Sequence, residues 1–573
     1  MGALRGRLWR SPAQLRRRAM NPTRGFVALG VFVGLLSAIF ILQYTAAPYE
    51  PQRLYIFQYL LRTQDLAGAV LVIFIAVAAA IPAIGRPAAA LVEAIARNPW
   101  PTAVASFLVL CAAQIYVADN HALAGDEHLM LMQSKAFAAG RLAAEFPPAL
   151  LTWLIPWDYA HRWLMASTTT GEVVPVYWPG YALLLAPFSL LGIPWACNPL
   201  LASGSLVLMG RLASRLTGVP QAAGWAMLFA LASPAFTGMA LSYFSMTAHL
   251  FFNLAYAWIL LERTPRRLLL AGVVGSAALI LSNPVPHLLF AAPWIVWIAR
   301  QPGARRALLT LAAGYAPLGL GLGIGWWVFV RQVQGDIWFA PYPADDDPYH
   351  RLGNFLWFWQ VQFHRVFTEP TESTLAKRLA EQVKLWLWTV PGLPALAAAG
   401  WWLARKQPPL HLLGLSLICT ALGYLVVWFD QGYGWGVRYL HPAFGALPVL
   451  AAAAIVLVRD PTLGLALRRY AASAALLSLV LATSLRWAQI HAFMEDQLSR
   501  RPPFEKGARQ IVFVFRDYNY YTQDLVQNDP FLRDPVIFML SHGRRNDYLM
   551  MRRYFPNAHQ VLDTQYGHVW RLD

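Results

Sequence analysis

Charged side chains are scarce in this sequence, and the acidic ones are the scarcest. Only 13% of the 573 residues are Asp, Glu, Lys or Arg, and 29 acidic residues stand against 46 basic ones. Soluble globular domains carry roughly 25% charged residues, so the composition argues against a soluble protein and predicts a membrane protein. The excess of basic residues does not indicate nucleic-acid binding. Many Arg residues lie in short gaps between apolar runs, and no basic stripe alternates with aromatic residues.

Cysteine is also rare, and metal-binding motifs are missing. The three cysteines, Cys111, Cys197 and Cys419, lie in apolar runs and form no CxxC pair, so they are interpreted as small buried hydrophobic residues. The consecutive acids Asp345, Asp346 and Asp347 are interpreted as a solvated turn, because neighbouring side chains on a regular strand cannot all face one ion. The sequence indicates no cofactor, and a requirement for a divalent metal stays open.

Long apolar runs dominate the rest of the chain. A helix needs about 20 mostly apolar residues to span a bilayer, and about thirteen segments approach this length. The predicted spans lie near Phe26–Gln43, Leu66–Ile84, Thr102–Val117, Ile193–Leu212, Ala222–Met239, Ala248–Leu261, Leu268–Leu281, His287–Ile298, Leu308–Val330, Leu385–Ala404, His411–Phe429, Pro442–Val458 and Ala471–Leu485. The predicted fold class is an all-α polytopic membrane protein.

The basic residues predict which loops lie on which side. The N-terminal segment contains seven Arg residues between Arg5 and Arg24, and the other basic clusters occur in alternate connections when thirteen spans are counted. Basic residues are concentrated on the cytoplasmic side of membrane proteins. This pattern predicts a cytoplasmic N-terminus, and it predicts that loops 118–192, 331–384 and 430–440 and the C-terminal tail lie on the outer side.

Three regions follow from this organisation. Residues 1–100 form a basic N-terminus with two additional spans, residues 101–487 form the main membrane domain, and residues 488–573 form a small outer α/β domain. In the last region QIVFVFR, PVIFML and HVWRL predict strands, and Asn546–Tyr554 predicts a helix. Two apolar stretches are too short or too interrupted to be spans and are predicted to be interfacial helices on the outer face, Pro147–Leu164 and Tyr181–Leu191.

An acid pair, Asp126-Glu127, stands out in the first outer loop. It follows the end of an apolar run and begins a predicted helix within ADNHALAGDEHLMLMQSKAFAAGRL. One interpretation is a simple helix cap, because acids stabilise the unpaired N–H groups of a first turn. The other is a functional carboxylate at the membrane surface. Leu129, Met132 and Ala136 are predicted to lie on one face of this helix, and His128, Lys135 and Arg141 on others.

Several motifs resemble polytopic GT-C glycosyltransferases, the family that takes sugars from polyprenyl-phosphate donors. GDEHLMLMQSKAFAAGRL resembles the first outer loop of these enzymes, and VPVYWPGYALLL resembles their Tyr-x-Pro-Gly segment. SYFSMTAHL and GYGWGVRYLHPAFGALP resemble two later outer segments, the second with Arg-Tyr-x-x-Pro. The resemblance is to bacterial protein-mannosyltransferase and aminoarabinose-transferase relatives. It covers most of 118–573, so the first two spans look like an addition.

The resemblance implies an activity and a set of site residues. The chain would transfer a sugar from a polyprenyl-phosphate donor to a lipid, glycan or protein acceptor of the cell envelope, with inversion, on the outer face of a bacterial inner membrane. Asp126 aligns with the family's catalytic Asp and would act as general base, and Glu127 would orient the acceptor or cap the helix. Arg438 is expected to bind the donor phosphate. The other expected substrate-binding residues are Tyr439, His249, Tyr243, Tyr177 and Trp178.

Alternatives remain for the individual residues and for the whole protein. Arg438 is also compatible with an Arg that extends from a helix end towards the membrane surface, and His249 and His287 with structural histidines at helix ends. A transporter or lipid flippase would need charged groups along a path inside the spans, whereas the sequence concentrates its polar groups on one face. A structural assembly factor of the envelope is the third alternative.

Overall fold

The chain folds mainly into helices. The computed structural model describes residues 22–46, 55–156, 159, 163–333, 374–427, 430–516 and 521–572. The acids Asp345–Asp347 lie outside the described residues. In chain order the helices are α1 (Pro22–Tyr44), α2 (Ile56–Ala78), α3 (Pro82–Arg97), α4 (Pro99–Tyr116), α5 (Gly125–Ala138), α6 (Leu151–Leu154), α7 (Gly180–Leu190), α8 (Cys197–Thr217), α9 (Gln221–Leu231), α10 (Pro234–Ala240), α11 (Met246–Leu260), α12 (Pro265–Leu279), α13 (Val285–Ala299), α14 (Ala304–Val333), α15 (Thr374–Leu387), α16 (Leu393–Leu403), α17 (Pro408–Gly423), α18 (Ala446–Leu457), α19 (Pro461–Ser499) and α20 (Arg544–Tyr554).

Many helices of this set are long or apolar enough for a membrane. Within the described residues, α1, α2, α4, α14 and α19 each have the length and composition of a complete span, and α9 with α10 forms a sixth, bent by 66°. Six shorter apolar segments contain α7, α11, α13, α16, α17 and α18. The chain is therefore a multi-pass membrane protein, and the number thirteen stays a prediction.

Local sequence explains where several helices begin and end. Proline occupies the first turn of α3, α4, α12, α16, α17 and α19, where its missing N–H removes no helical hydrogen bond. Asp460 caps α19 by accepting a hydrogen bond from the N–H of Leu463 at 2.8 Å. Gly218 ends α8 in the left-handed conformation, with φ of 71°.

The boundaries of two predicted spans were wrong, with consequences for buried charge. The second span begins at Ile56 instead of Leu66, and the last helix continues to Ser499 instead of ending at Leu485. Asp65 and Arg486 therefore lie inside continuous helices. Asp65 is the last residue of the π-helical turn Leu61–Asp65, and Arg486 lies four residues after the π-helical turn Ser478–Ala482. Such turns often occur at functional positions.

Loop 118–192, which is predicted to lie on the outer side, contains short strands that the sequence did not predict. β1 (Ala144–Glu145), β3 (Glu172–Pro175) and β2 (Leu164–Ala166) form an antiparallel sheet in that order. The prediction of interfacial helix over Pro147–Leu164 was wrong, because only a 3-10 turn at Pro148–Leu150 and the single turn α6 are helical in its described part. The predicted helix at Tyr181–Leu191 does form, as α7.

The C-terminal residues form a four-stranded sheet. Its order is β5 (Val536–Leu540), β4 (Gln510–Val514), β7 (Gly567–Arg571) and β6 (His559–Thr564), with β4 and β5 parallel and the other pairs antiparallel. The predicted strands and the helix α20 are present, and β6 was missed because its side chains are mostly polar and exposed. The sheet shares a hydrophobic core with loop 118–192, so these two regions pack against each other.

The loops predicted to share a side lie together. On the predicted outer side, the amide of Gln527 in the tail donates to the carbonyl of Ala122 in the first loop at 2.6 Å, and the indole N–H of Trp153 donates to Asp547 at 3.1 Å. At the predicted cytoplasmic connections, Arg215 forms an ion pair with Glu262 at 2.6 Å. These contacts agree with the predicted topology, in which successive loops alternate between the two sides of the membrane.

Candidate functional site

The acid pair begins helix α5, and the backbone explains why it can. Asp126 and Glu127 occupy the first turn of the helix, where the N–H groups have no helical partner and favour negative charge. Gly125 precedes them, and a side chain there would overlap the ring of Tyr159. Glycine is thus required for the loop to pass close beneath this tyrosine.

The two acids point to different partners. Asp126 forms an ion pair with Arg438, whose side chain is 13% exposed while that of Asp126 is 22% exposed. Glu127 is buried and accepts a hydrogen bond from the backbone N–H of Leu123 at 2.8 Å. Burial raises the pKa of Glu127 to about 8, although the Leu123 N–H opposes this rise. The geometry therefore favours the capping role for Glu127 and leaves Asp126 at the accessible position.

Arg438 is held by the loop that contains it. Its backbone N–H donates to the side-chain oxygen of Gln431 at 3.1 Å, and its guanidinium donates to the Gln431 carbonyl at 3.4 Å. The guanidinium carbon also lies 3.9 Å from the centre of the Phe244 ring, a cation–π contact. Three glycines with positive φ, Gly432, Gly434 and Gly436, allow the chain to fold back on itself here.

Two of the predicted aromatic residues lie beside this ion pair. The ring of Tyr439 stacks on Tyr424 with centroids 4.8 Å apart, and its hydroxyl donates to the carbonyl of Asp430 at 3.2 Å. Burial and then the charge of Asp126 raise the pKa of the Tyr177 phenol above its usual value, while Arg438 lowers it. The electrostatic coupling means that Tyr177 is close to both members of the pair.

Tyr243 and Trp178 contact other parts of the chain. The hydroxyl of Tyr243 donates to the side-chain oxygen of Asn120 at 2.5 Å, behind Glu127. The ring of Trp178 packs against Gly323 in α14, and its backbone N–H donates to the Ser282 carbonyl at 2.8 Å. Tyr243 thus contacts the segment that precedes α5, and Trp178 contacts α14.

The two histidines are part of the helix packing. His249 lies 3.3 Å from the hydroxyl of Ser282, and His287 lies between the side chains of Asn253 at 2.7 Å and Tyr315 at 2.6 Å. Throughout the described part of the chain, no hydrogen bond or ion pair joins His249 to Asp126 or Arg438. The structure thus brings Asp126 and Arg438 together, and it shows no such contact for His249.

Helix α5 is more buried than its sequence predicted. Leu129, Met132 and Ala136 are buried as expected, but His128 is also buried, and burial lowers its pKa to about 3. The prediction that His128 faces away from the core was wrong, because α7 and the tail cover further sides of this helix.

Sequence reasoning missed several residues around the site. Gln431 had a local signal, since it lies within the glycine-rich motif of Arg438. Glu381 could have been found from the three- to four-residue spacing of charges in KRLAEQVK. Tyr159 and Asp524 form a buried hydrogen bond between the first loop and the tail, and neither residue carries a local signal because they meet only in the folded chain.

Among the described residues, no cluster of potential metal ligands adds to this site. Among the residues whose positions the structure describes, no three His, Cys, Asp or Glu side chains are grouped so that they could hold an ion. The arrangement can instead supply one carboxylate and one guanidinium, flanked by tyrosines, at a partly open surface.

Comparisons with known proteins find similarity only in structure. No protein-family model and no curated protein matches the sequence. A crystal structure of ArnT from Cupriavidus metallidurans bound to undecaprenyl phosphate aligns with a TM-score of 0.48 at 13% identity, covering 82% of this chain and 98% of that one. The apo ArnT structure aligns with a TM-score of 0.47 at 14% identity, covering 83% and 98%. At this level of similarity the two matches assign no role to any residue of this chain.

Proposed function

We propose that this protein is a membrane glycosyltransferase that takes a sugar from a polyprenyl-phosphate donor. It transfers this sugar to an acceptor of the cell envelope on the outer face of the membrane. The observation that carries the proposal is the ion pair between Asp126 and Arg438. A base and a phosphate-binding cation are the two groups that this transfer requires, and here they lie side by side.

The reaction assigns one task to each member of the pair. Asp126 takes the proton from the acceptor hydroxyl while the acceptor oxygen attacks the anomeric carbon. The bond between that carbon and the phosphate oxygen breaks, and polyprenyl phosphate leaves with the bonding electrons. Arg438 stabilises the charge that develops on this phosphate. A single displacement from the opposite face inverts the anomeric carbon.

In this proposal, the ion pair is the resting state of the enzyme, before the donor binds. The Asp126 carboxylate occupies the part of the Arg438 guanidinium that a phosphate oxygen would bind. A donor phosphate, with its larger charge, displaces the carboxylate from Arg438. The released carboxylate is then free to act as base, so donor binding and base activation are coupled.

One observation favours the transporter alternative, and it corrects an argument from the sequence. The spans were predicted to be nearly free of charge, but Asp65, Lys384 and Arg486 form a buried ion cluster within or next to membrane helices. Charged groups in such positions often mark a transport path. A transporter of this design would depend on Asp65 and be insensitive to Asp126, whereas the transferase depends on Asp126.

Reconstitution separates these functions. The purified protein in liposomes is supplied with polyprenyl-phosphate-linked sugars and an envelope extract, and mass spectrometry detects sugar-modified acceptors. We expect modified product with the native protein and little with Asp126→Asn. The matched control is Glu145→Gln, which removes an exposed carboxylate that pairs with Arg141 in the same outer loop. Donor consumption that is absent in the native protein, or equal in the native protein and Asp126→Asn, would contradict the proposal.

A further inference from the structure

A buried charged face on α15 connects the candidate site to the first two membrane helices. Glu381 is three to four residues from each of Lys377, Arg378 and Lys384, so the four side chains lie on one side of the helix. None of the four is more than 6% exposed. Burying charges is costly unless they are paired, so this face must meet polar partners from other parts of the chain.

At one end, the partner comes from α2. The ammonium of Lys384 lies 2.9 Å from one carboxylate oxygen of Asp65. The other oxygen lies 3.0 Å from the guanidinium of Arg486 and accepts a hydrogen bond from the Trp388 indole at 2.5 Å. Asp65 has no exposed surface. The additional helix pair thus supplies the acid that two buried cations share.

At the other end, α15 contacts the loop that carries Arg438. Glu381 forms an ion pair with Arg378 at 2.7 Å, and both side chains are buried. The guanidinium of Arg378 lies 5.3 Å from the ring centre of Tyr439. Helix α15 therefore contacts Tyr439, the residue that directly follows Arg438.

We propose that Lys384 is a positioning residue for donor binding, acting through α15 and Arg378 on Tyr439 and the adjacent Arg438. The inference rests on the proposed function, because it needs Arg438 to bind the donor phosphate. Asp65 anchors Lys384, α15 transmits its position, and Arg378, paired with Glu381, contacts the loop at Tyr439. The additional helices α1 and α2 thereby become part of the donor site.

Positioning explains this network better than stability does. A buried ion pair adds little net stability, since desolvation offsets most of the attraction, and apolar side chains of similar volume serve as well. Its geometric effect is larger, because a displacement of about 1 Å in a binding group can cost up to about 10²-fold in rate. Two cations sharing one carboxylate also restrict the orientation of that carboxylate on α2.

Lys384→Met tests the proposal without leaving an unpaired charge. Asp65 keeps Arg486 as its partner in this variant, so the cluster remains balanced. We expect the KM for the donor to rise about tenfold, with a smaller change in kcat and no change in melting temperature. Lys384→Arg should restore most of the donor affinity. The matched control is Lys406→Met, which changes an exposed lysine outside the network and should leave the KM unchanged.

A double-mutant cycle distinguishes failure of this inference from failure of the proposed function. In an Arg438→Ala background, Lys384→Met should have no further effect on donor KM, since it acts through Arg438. An equal effect in both backgrounds, or a lower melting temperature with an unchanged KM, would overturn the positioning role and leave the transferase intact. Unchanged donor kinetics in Arg438→Ala alone would instead overturn the phosphate site of the proposed function. If Lys384→Met does not fold, the same cycle is run with Glu381→Gln.

Discussion

Asp126 and Arg438 lie 312 positions apart in the chain and form a partly buried ion pair. Asp126 lies in the first turn of α5, and Arg438 lies in a glycine-rich loop before the last membrane helices. Each side chain keeps some exposed surface, 13% for Arg438 and 22% for Asp126, so a ligand can reach the pair. A ligand that binds Arg438 must therefore compete with the carboxylate of Asp126.

Asp126→Asn should abolish most turnover while preserving donor binding. The amide is close in size and also suits a helix N-terminus, so the fold should remain. Sugar transfer should fall by about 10²–10⁴-fold, the usual contribution of a general base. Polyprenyl phosphate should bind as tightly as before or more tightly, because Arg438 loses a competing charge. Kinetics and isothermal titration on the same preparation check both effects, and near-normal turnover would leave only the capping role.

Arg438→Ala should weaken binding of the polyprenyl-phosphate donor, in contrast to Asp126→Asn. Loss of one charge-assisted contact costs about 1.5–3 kcal/mol, or roughly one to two decades in donor affinity or rate. Arg438→Lys should recover only part of this, because an ammonium cannot bind two phosphate oxygens in the fork geometry of arginine. The measurement is the donor dependence of initial rates for both variants.

Glu127 should make stability depend on pH. Its pKa rises from 4.5 to about 8 on folding, mainly through burial. The folded protein therefore binds a proton that the unfolded chain releases between these values, and stability should fall as pH rises through this window. Melting curves in detergent should show a higher melting temperature at about pH 5 than at about pH 8.5, and Glu127→Gln should flatten this dependence.

The same variant also separates the two acids in catalysis. If Glu127 only caps the helix, Glu127→Gln should reduce transfer much less than Asp126→Asn does, since the Gln side chain still accepts the Leu123 hydrogen bond. A larger loss in Glu127→Gln than in Asp126→Asn would reverse the assignment of the base.

The topology predicts that the candidate site faces away from the cytoplasm. A reporter that works only outside the cytoplasm, fused after Asp573, should be active, because the tail contacts the loop of Asp126. A cytoplasmic reporter at the same position should be silent. Activity of the cytoplasmic reporter would remove both the predicted sidedness and the outer-face reaction.

The sequence by itself determined the class of protein and the local form of the site. Apolar runs separated by basic gaps predict membrane helices because an apolar bilayer requires helices with internally paired backbone groups. The acid pair at a helix start and the glycine-rich loop before Arg438 are local patterns, and each was recognisable without the fold. The strands of the tail were also predictable from short apolar runs such as QIVFVFR and PVIFML.

Only the tertiary structure decided which of these groups meet. The Asp126–Arg438 pair, the separation of Asp126 from Glu127, and the place of His249 in the helix packing depend on contacts between distant segments. The charged cluster of Asp65, Lys384 and Arg486 was hidden for a related reason. Hydropathy ends a span where a charge occurs, whereas the folded helices continue through these residues because each charge finds its partner on another helix.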